Sequence, residues 1–193
     1  KDGHFRASAV RCLASLRSFL RYLINQNLMP EAPIWARGSL GMKQLAPKLS
    51  RRIPQALFRE EASAMLERTL DSTNNARQEH LRIRDRAILE LLYGSGLRLS
   101  ELAGLDTKHI SLHERLVRVI GKGKKERVLP LGRLCKEALE QYQQHGRPIL
   151  ERTRPTKALF LNRFGYRLST RSIQQIVQHY ALLAGLNHGV HTH

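Results

Sequence analysis

Acidic side chains are scarce in this sequence. Asp and Glu number 16 against 33 Lys and Arg in 193 residues, a net charge of +17 with the nine histidines neutral. Such an excess points to a polyanionic partner, because each Lys or Arg that neutralises a phosphate releases condensed counterions. Nucleic acid leads among such partners, and an anionic membrane surface trails. Aromatics are also few, at 6%, which leaves little surface for stacking single strands and counts against a basic RNA-binding protein of ribosomal type. The two cysteines, Cys12 and Cys135, lie far apart and match no metal-ligand spacing. Disulfide scaffolds and cysteine zinc fingers are thereby excluded, and both residues read as buried free thiols of a reducing compartment. No apolar run approaches the roughly 18 residues of a membrane span, and the start lacks the regions of a signal peptide, so the expected location is cytoplasmic. The first residue is Lys1 rather than Met and the last is His193; both ends read as cut points of a longer protein.

What is present is enough apolar material, 41% of residues, for real cores in one large domain or in a small and a medium one. Basic density is concentrated early: residues 1–54 hold ten basic and two acidic side chains, a net +8 in little more than a quarter of the length. From about Ser8 to Leu28, Leu13, Leu16, Leu20 and Leu23 recur at helical spacing, with Arg6, Arg11, Arg17 and Arg21 available to another face. Residues 44–55, with Lys48, Arg51 and Arg52 between Pro47 and Pro54, read as a basic linker of the kind that crosses a phosphate backbone.

Further on, helices are predicted from Arg59 to Leu70, with Glu60 and Glu61 complementing the helix dipole, and from His80 to Tyr93, with Gly94 as its stop. Ser100 can cap a short helix carrying Glu101 and Leu102. Between Ile110 and Leu131 the pattern turns β-branched and alternating on both sides of Gly121-Lys122-Gly123-Lys124-Lys125. This predicts a β-hairpin whose tip region is basic four times once Arg127 is counted. Helical spacing returns at Leu134, Ala138 and Tyr142. A Pro-bounded loop then leads to a short strand from Ala158 to Leu161, and Ser169 opens a last helix that ends near Gly185.

Three stretches could carry chemistry. Arg98, between a helix stop and a helix start, could offer forked hydrogen bonds to a phosphate while Glu101 holds it, or could simply pair with Glu101 at the surface. Lys122 could protonate a leaving oxygen if desolvation or a neighbouring Arg lowered its pKa, whereas Lys124 and Lys125 fit a solvated turn. No Ser or Thr follows Gly123-Lys124, so a P-loop is set aside. His191 and His193 would share a face only on a strand and have no further ligand cluster, but a histidine can also hydrogen-bond a phosphate without a metal.

Order and spacing together carry a resemblance. The stretch from Leu81 to His193 resembles the catalytic domain of tyrosine recombinases. Within it, the run Gly94-Ser95-Gly96-Leu97-Arg98-Leu99-Ser100-Glu101-Leu102 and the hairpin run from Val119 to Gly132 are similar to the Xer branch of that family. Residues 1–43 resemble the later part of its helical core-binding domain. The resemblance implies a mainly α fold with a small β-hairpin or sheet: a partial core-binding domain (1–43), the linker (44–55) and a mixed α/β catalytic domain (56–193) incomplete at its C-terminus. It places Arg98 at the first catalytic arginine, Lys122 at the hairpin lysine and His193 at the catalytic histidine, with Glu101 in support. Arg17, Arg21, Arg51, Arg52, Lys124, Lys125 and Arg127 are the expected DNA contacts. The reaction needs no metal or nucleotide cofactor. The implied partners are double-stranded DNA and a second Xer-type recombinase in a tetrameric synaptic complex, acting in chromosome dimer resolution at cell division, with no membrane involved.

The family's second arginine and nucleophilic tyrosine have no counterpart among these residues. Tyr22 sits in the first helix, Tyr93, Tyr142 and Tyr180 take core positions of helices, and Tyr166 follows a turn. The expectation is a chain that binds DNA without cleaving it. A non-catalytic DNA-binding module derived from a recombinase stays open beside the enzyme.

Overall fold

The structure is a computed structural model that describes residues 2–30, 57–70, 78–121, 125–151 and 155–186, with side chains from Ser8 on. The chain divides into two compact units, Lys1–Ile53 and Pro54–His193.

In the first unit, helix α1 spans Asp2–Asn25. Leu20 is buried and Leu13 and Leu23 are partly so, while Leu16, Phe19 and Tyr22 are exposed. The helix stops three residues before the predicted Leu28 because Asn27 takes a left-handed conformation (φ 54°). The Leu28 N–H then bonds back to the Leu23 carbonyl at 2.9 Å, a termination that Asn tolerates better than most side chains. Cys12 is exposed rather than buried, since it lies about 100° around the helix from Leu13.

The second unit begins with α2 (Arg59–Arg68), where the Phe58 N–H donates to Glu61 Oε2 at 2.8 Å. Helix α3 (Glu79–Ser95) supplies Ala87, Ile88 and Leu91 to the core with no exposed surface. Its stop is Gly96 (φ 59°), whose N–H bonds to the Leu92 carbonyl, and not Gly94, which stays helical and faces Cys135. Tyr93, expected in the core, is exposed because two residues carry it to the opposite side of α3 from Leu91. Helix α4 (Leu99–Ala103) follows at once. Its cap is Arg98, so Ser100 lies inside the helix rather than capping it.

A 3-10 turn (Thr107–His109) leads to three antiparallel strands in the order β1 (Ile110–Ser111), β2 (Leu116–Ile120) and β3 (Glu126–Pro130). The predicted hairpin is β2–β3, in register from Leu116 opposite Pro130 to Ile120 opposite Glu126. Strand β1 adds a third member too short to leave a period in the sequence. Alternation on β2 buries Val117 and Val119 and turns Arg118 and Ile120 outward, as one buried face requires.

Helix α5 (Arg133–Gln141) continues through a π-turn (Tyr142–Gly146) into α6 (Arg147–Glu151), where the sequence suggested a loop. The wider turn accommodates Pro148, which lacks an N–H. Gly146 leaves no room for a side chain, since a Cβ there would stand 2.9 Å from the Tyr142 ring. Residues Ala158 to Leu161 are buried but form only isolated bridges, Asp106 with Ala158 and Leu161 with Arg167, instead of a strand. Single backbone bonds, from the Leu159 N–H to the Leu105 carbonyl (3.0 Å) and from the Leu168 N–H to the Phe160 carbonyl (2.9 Å), are supplemented there by side chains. The Tyr142 hydroxyl donates to the Leu159 carbonyl (3.1 Å) and accepts from the Leu161 N–H (3.2 Å), and Arg84 donates to the Leu161 carbonyl (3.0 Å). Helix α7 (Thr170–Leu183) is capped by Ser169 Oγ, which accepts the Ser172 N–H. Its apolar face closes a second cluster of Met65, Leu89, Val177, Tyr180 and Ala181.

Candidate functional site around Arg98

Arg98 stands in extended conformation (φ −70°, ψ 151°) between the left-handed Gly96 and the first turn of α4. Its neighbours Leu97 and Leu102 are buried in the main core, yet its own side chain is 63% exposed. A guanidinium is thus presented to solvent on a backbone anchored from both sides.

The anchor continues in Glu101, whose side chain is only 5% exposed. Its Oε2 accepts the Arg98 backbone N–H (2.8 Å) and Arg127 Nη2 (2.9 Å); its Oε1 accepts Arg98 Nη1 (3.2 Å) and Arg127 Nη1 (2.9 Å). Four donors fill the four lone-pair sites of one carboxylate. Above all the fork of Arg127, and then the Arg98 N–H and guanidinium, hold the Glu101 acid down at about 2 against the opposing effect of burial. The same pair pushes the Arg127 pKa up. Gly121, at the end of β2, lies against this pair: a Cβ there would be 3.2 Å from Arg127 Nη1 and 3.6 Å from Glu101 Oε1.

The far end of α4 is fixed as well. Arg167 Nη1 donates to the carbonyls of Ala103 (3.0 Å) and Leu105 (2.9 Å), and its Nη2 pairs with Asp106. That pairing lowers the Asp106 pKa. A cleft of about 430 Å³ opens beside α4, lined by Leu99 and by Thr170, Arg171, Gln174, Gln175 and Gln178 of α7. A cleft of about 450 Å³ elsewhere in the unit, bordered by Arg82, Arg86 and His145, contains none of the side chains around Arg98.

Of the residues singled out from sequence, the structure brings Arg98, Glu101 and Arg127 together. Arg127 is not part of the hairpin tip. It sits within β3 opposite Val119 and directs its guanidinium to Glu101. Lys125 is exposed where the hairpin loop rejoins β3, and its carbonyl accepts the Gly121 N–H at 2.8 Å. Arg17 and Arg21 lie on α1 of the other unit, Arg21 exposed and Arg17 partly buried. Lys122, Lys124, Arg51, Arg52 and His193 lie outside the described residues. Among the described residues, no three His, Cys, Asp or Glu gather as a metal site, and no helix is long and apolar enough to cross a membrane.

The five tyrosines divide by environment. Tyr142 and Tyr180 are buried, and burial pushes both up to about 12, away from nucleophilic character. Tyr22, Tyr93 and Tyr166 are exposed. Sequence reasoning missed the Arg and Gln face of α7. The available signal was the apolar set Ile173, Val177, Tyr180 and Ala181, which leaves Arg171, Gln174 and Gln178 on the other side of a capped helix.

The profile of the phage integrase family matches residues 58–193. The tyrosine recombinase XerC of Myxococcus xanthus is 42% identical over 193 residues, covering 98% of this chain and 60% of that protein. The tyrosine recombinase XerD of Proteus mirabilis is 36% identical over 186 residues, covering 96% of this chain and 55% of that protein. The chain therefore spans 55–60% of the length of these curated relatives. Among solved structures, a lambda integrase dimer bound to a COC′ core site matches with a TM-score of 0.67 at 17% identity, over 97% of this chain and 60% of that one. XerA recombinase matches with 0.60 at 23%, over 80% and 50%. At those identities the likeness speaks for the fold.

Proposed function

Because the chain belongs to the phage integrase family, in its Xer branch of tyrosine recombinases, we propose that it is the larger part of a XerC-like site-specific recombinase. The whole protein cuts and rejoins duplex DNA through a 3′-phosphotyrosine. In this reading residues 1–43 are the later part of a core-binding domain, residues 44–55 a basic linker and residues 56–193 most of the catalytic domain. The nucleophilic tyrosine and a second arginine belong to the remaining length that the relatives have.

A tyrosine oxygen attacks a DNA phosphorus, the bond to the 5′-oxygen breaks, and that oxygen leaves with a proton from Lys122. A 5′-hydroxyl from a partner strand later reverses the step. Since the bond energy is kept in the phosphotyrosine, neither ATP nor a metal enters. Charge gathers on the non-bridging oxygens of the five-coordinate state, where a preorganised guanidinium lowers its energy most. Arg98 supplies one such donor, and His193 orients the phosphate or assists proton transfer. Arg17, Arg21, Arg51, Arg52, Lys124 and Lys125 contact phosphates. Arg171 and Gln174, exposed at helical spacing on α7, have the forked geometry that recognises guanine and adenine edges in a major groove. A second Xer-type recombinase completes a tetramer on paired sites, and the role is chromosome dimer resolution in the cytoplasm. One solved relative is XerH on a palindromic difH substrate in a post-cleavage complex.

The observation that carries this reading is the exposed Arg98 guanidinium on a backbone fixed by buried neighbours and by Glu101. Arg98→Ala in the whole protein is expected to slow cleavage by roughly 10²–10³-fold while DNA affinity, resting on many phosphate contacts, stays within about threefold. Equal loss of cleavage and of affinity would contradict the assignment.

A further inference from the structure

We propose that Arg127 is a positioning residue that keeps Arg98 available to the scissile phosphate by occupying the oxygens of Glu101 that would otherwise capture it. The inference rests on the proposed cleavage activity and adds a residue whose own guanidinium is turned to Glu101.

Two arginines compete for one carboxylate, and the structure divides it unequally. Arg127 places two terminal nitrogens on the two oxygens, each at 2.9 Å, and is 38% exposed. Arg98 spends one terminal nitrogen at 3.2 Å, together with its backbone N–H at 2.8 Å, and is 63% exposed. The backbone bond fixes where Arg98 stands, and the remaining four N–H groups of its guanidinium are left for another anion. A fork-to-fork pair is the strongest arrangement open to Arg and Glu. With Arg127 gone, two lone-pair sites on a carboxylate that is only 5% exposed would be empty, and Arg98, already bonded to the same carboxylate, can turn to fill them. Its guanidinium would swing from outward presentation into a two-bond pair, taking with it the charge that the transition state needs.

Three local features suit Arg127 to the task. It occupies an inward-facing position of β3, opposite Val119 and two residues from Leu129, which aims its side chain toward α4 and Glu101. Gly121 has no side chain, and a Cβ there would press on Arg127 Nη1 at 3.2 Å, so the strand end leaves the guanidinium its space. The fork is planar, so Lys at this position could supply one contact but not two.

The test uses the whole protein under single-turnover conditions on a nicked duplex that it cleaves, with affinity measured separately. Arg127→Ala is expected to lower the cleavage rate about tenfold or more with affinity changed by less than about threefold. Arg127→Lys should recover only part of the rate. The decisive variant adds Glu101→Gln to Arg127→Ala. A neutral amide captures Arg98 less strongly, so the double variant is expected to cleave faster than Arg127→Ala alone. A merely structural role for the pair predicts the opposite, a loss equal to or greater than that of the single variant. A substrate with sulfur in place of the 5′-bridging oxygen needs no leaving-group proton. It should not rescue Arg127→Ala, because the defect lies at the phosphate and not at Lys122. Unchanged cleavage by Arg127→Ala, a double variant no faster than the single one, or rescue by sulfur would each overturn the inference. A wild-type protein that cleaves no duplex would instead overturn the proposed function on which it rests.

Discussion

Glu101 concentrates most of the residue-scale physics of this molecule. Its carboxyl, held at about 2 by Arg127 and Arg98, ionises more readily in the folded chain than in the unfolded one. A lowered acid of this kind contributes stability in full above its ordinary value, near pH 4.5, and loses it as the pH falls toward 2. Unfolding midpoints followed over that window should therefore fall more steeply for the wild type than for Glu101→Gln; parallel curves would show that the carboxylate is not bound as described. Arg84 poses the contrasting case of a pair with little access to water. It is itself buried, holds Asp85 and donates to the Leu161 carbonyl, while burial raises the Asp85 pKa despite that partner. Arg84→Ala should cost about 3 kcal/mol or more, because Asp85, 13% exposed, loses its ion-pair partner. Urea unfolding of the chain reads this directly, and a loss below about 1 kcal/mol would mean that water replaces the guanidinium there.

At the scale of elements, α7 joins a stability prediction to a functional one. Ser169 Oγ accepts the Ser172 N–H at 3.1 Å, so Ser169→Ala should cost about 1 kcal/mol in the unfolding midpoint, and no change would remove the cap from the account. If the face bearing Arg171 and Gln174 reads bases, Gln174→Ala should reduce discrimination by about 1–3 kcal/mol at one base position and leave non-specific affinity nearly unchanged. A uniform loss on every duplex would make it a phosphate contact instead.

Elements built on local periodicity were legible in the sequence. Among the described residues, the four longest helices and the β2–β3 pair follow from apolar spacing and turn residues, and the Ser169 cap was readable as well. Elements held by distant partners were not. Residues 158–161 look like a strand because they are apolar, but their backbone is satisfied piecemeal from distant positions, by the side chains of Tyr142 and Arg84 and by the backbone of Leu105 and Leu168. The two glycines after Tyr93 could not be ranked as stops without knowing that Cys135 packs on Gly94. Pairing of Glu101 with Arg98, three residues apart, was readable from spacing. Its pairing with Arg127, across 26 positions, depends on the sheet register.

For the whole molecule, the net charge of +17 and a family whose reaction is on duplex DNA lead to one physical expectation. Phosphate contacts dominate binding, and affinity should drop by roughly 10³–10⁵-fold between 50 and 200 mM salt if six to ten phosphates are neutralised. An affinity almost independent of salt would leave the excess of Lys and Arg without its proposed role. Binding alone, however, does not separate an enzyme from a module that only grips DNA. The most direct test is to incubate the whole protein with sheared DNA from its own genome and trap protein–DNA complexes that survive denaturant. The account predicts covalent adducts at one or a few sites, with protein on the 3′-phosphate and a free 5′-hydroxyl, and their loss in Arg98→Ala. Strong binding without adducts, adducts on 5′ ends, or equal yields from the wild type and Arg98→Ala would contradict it.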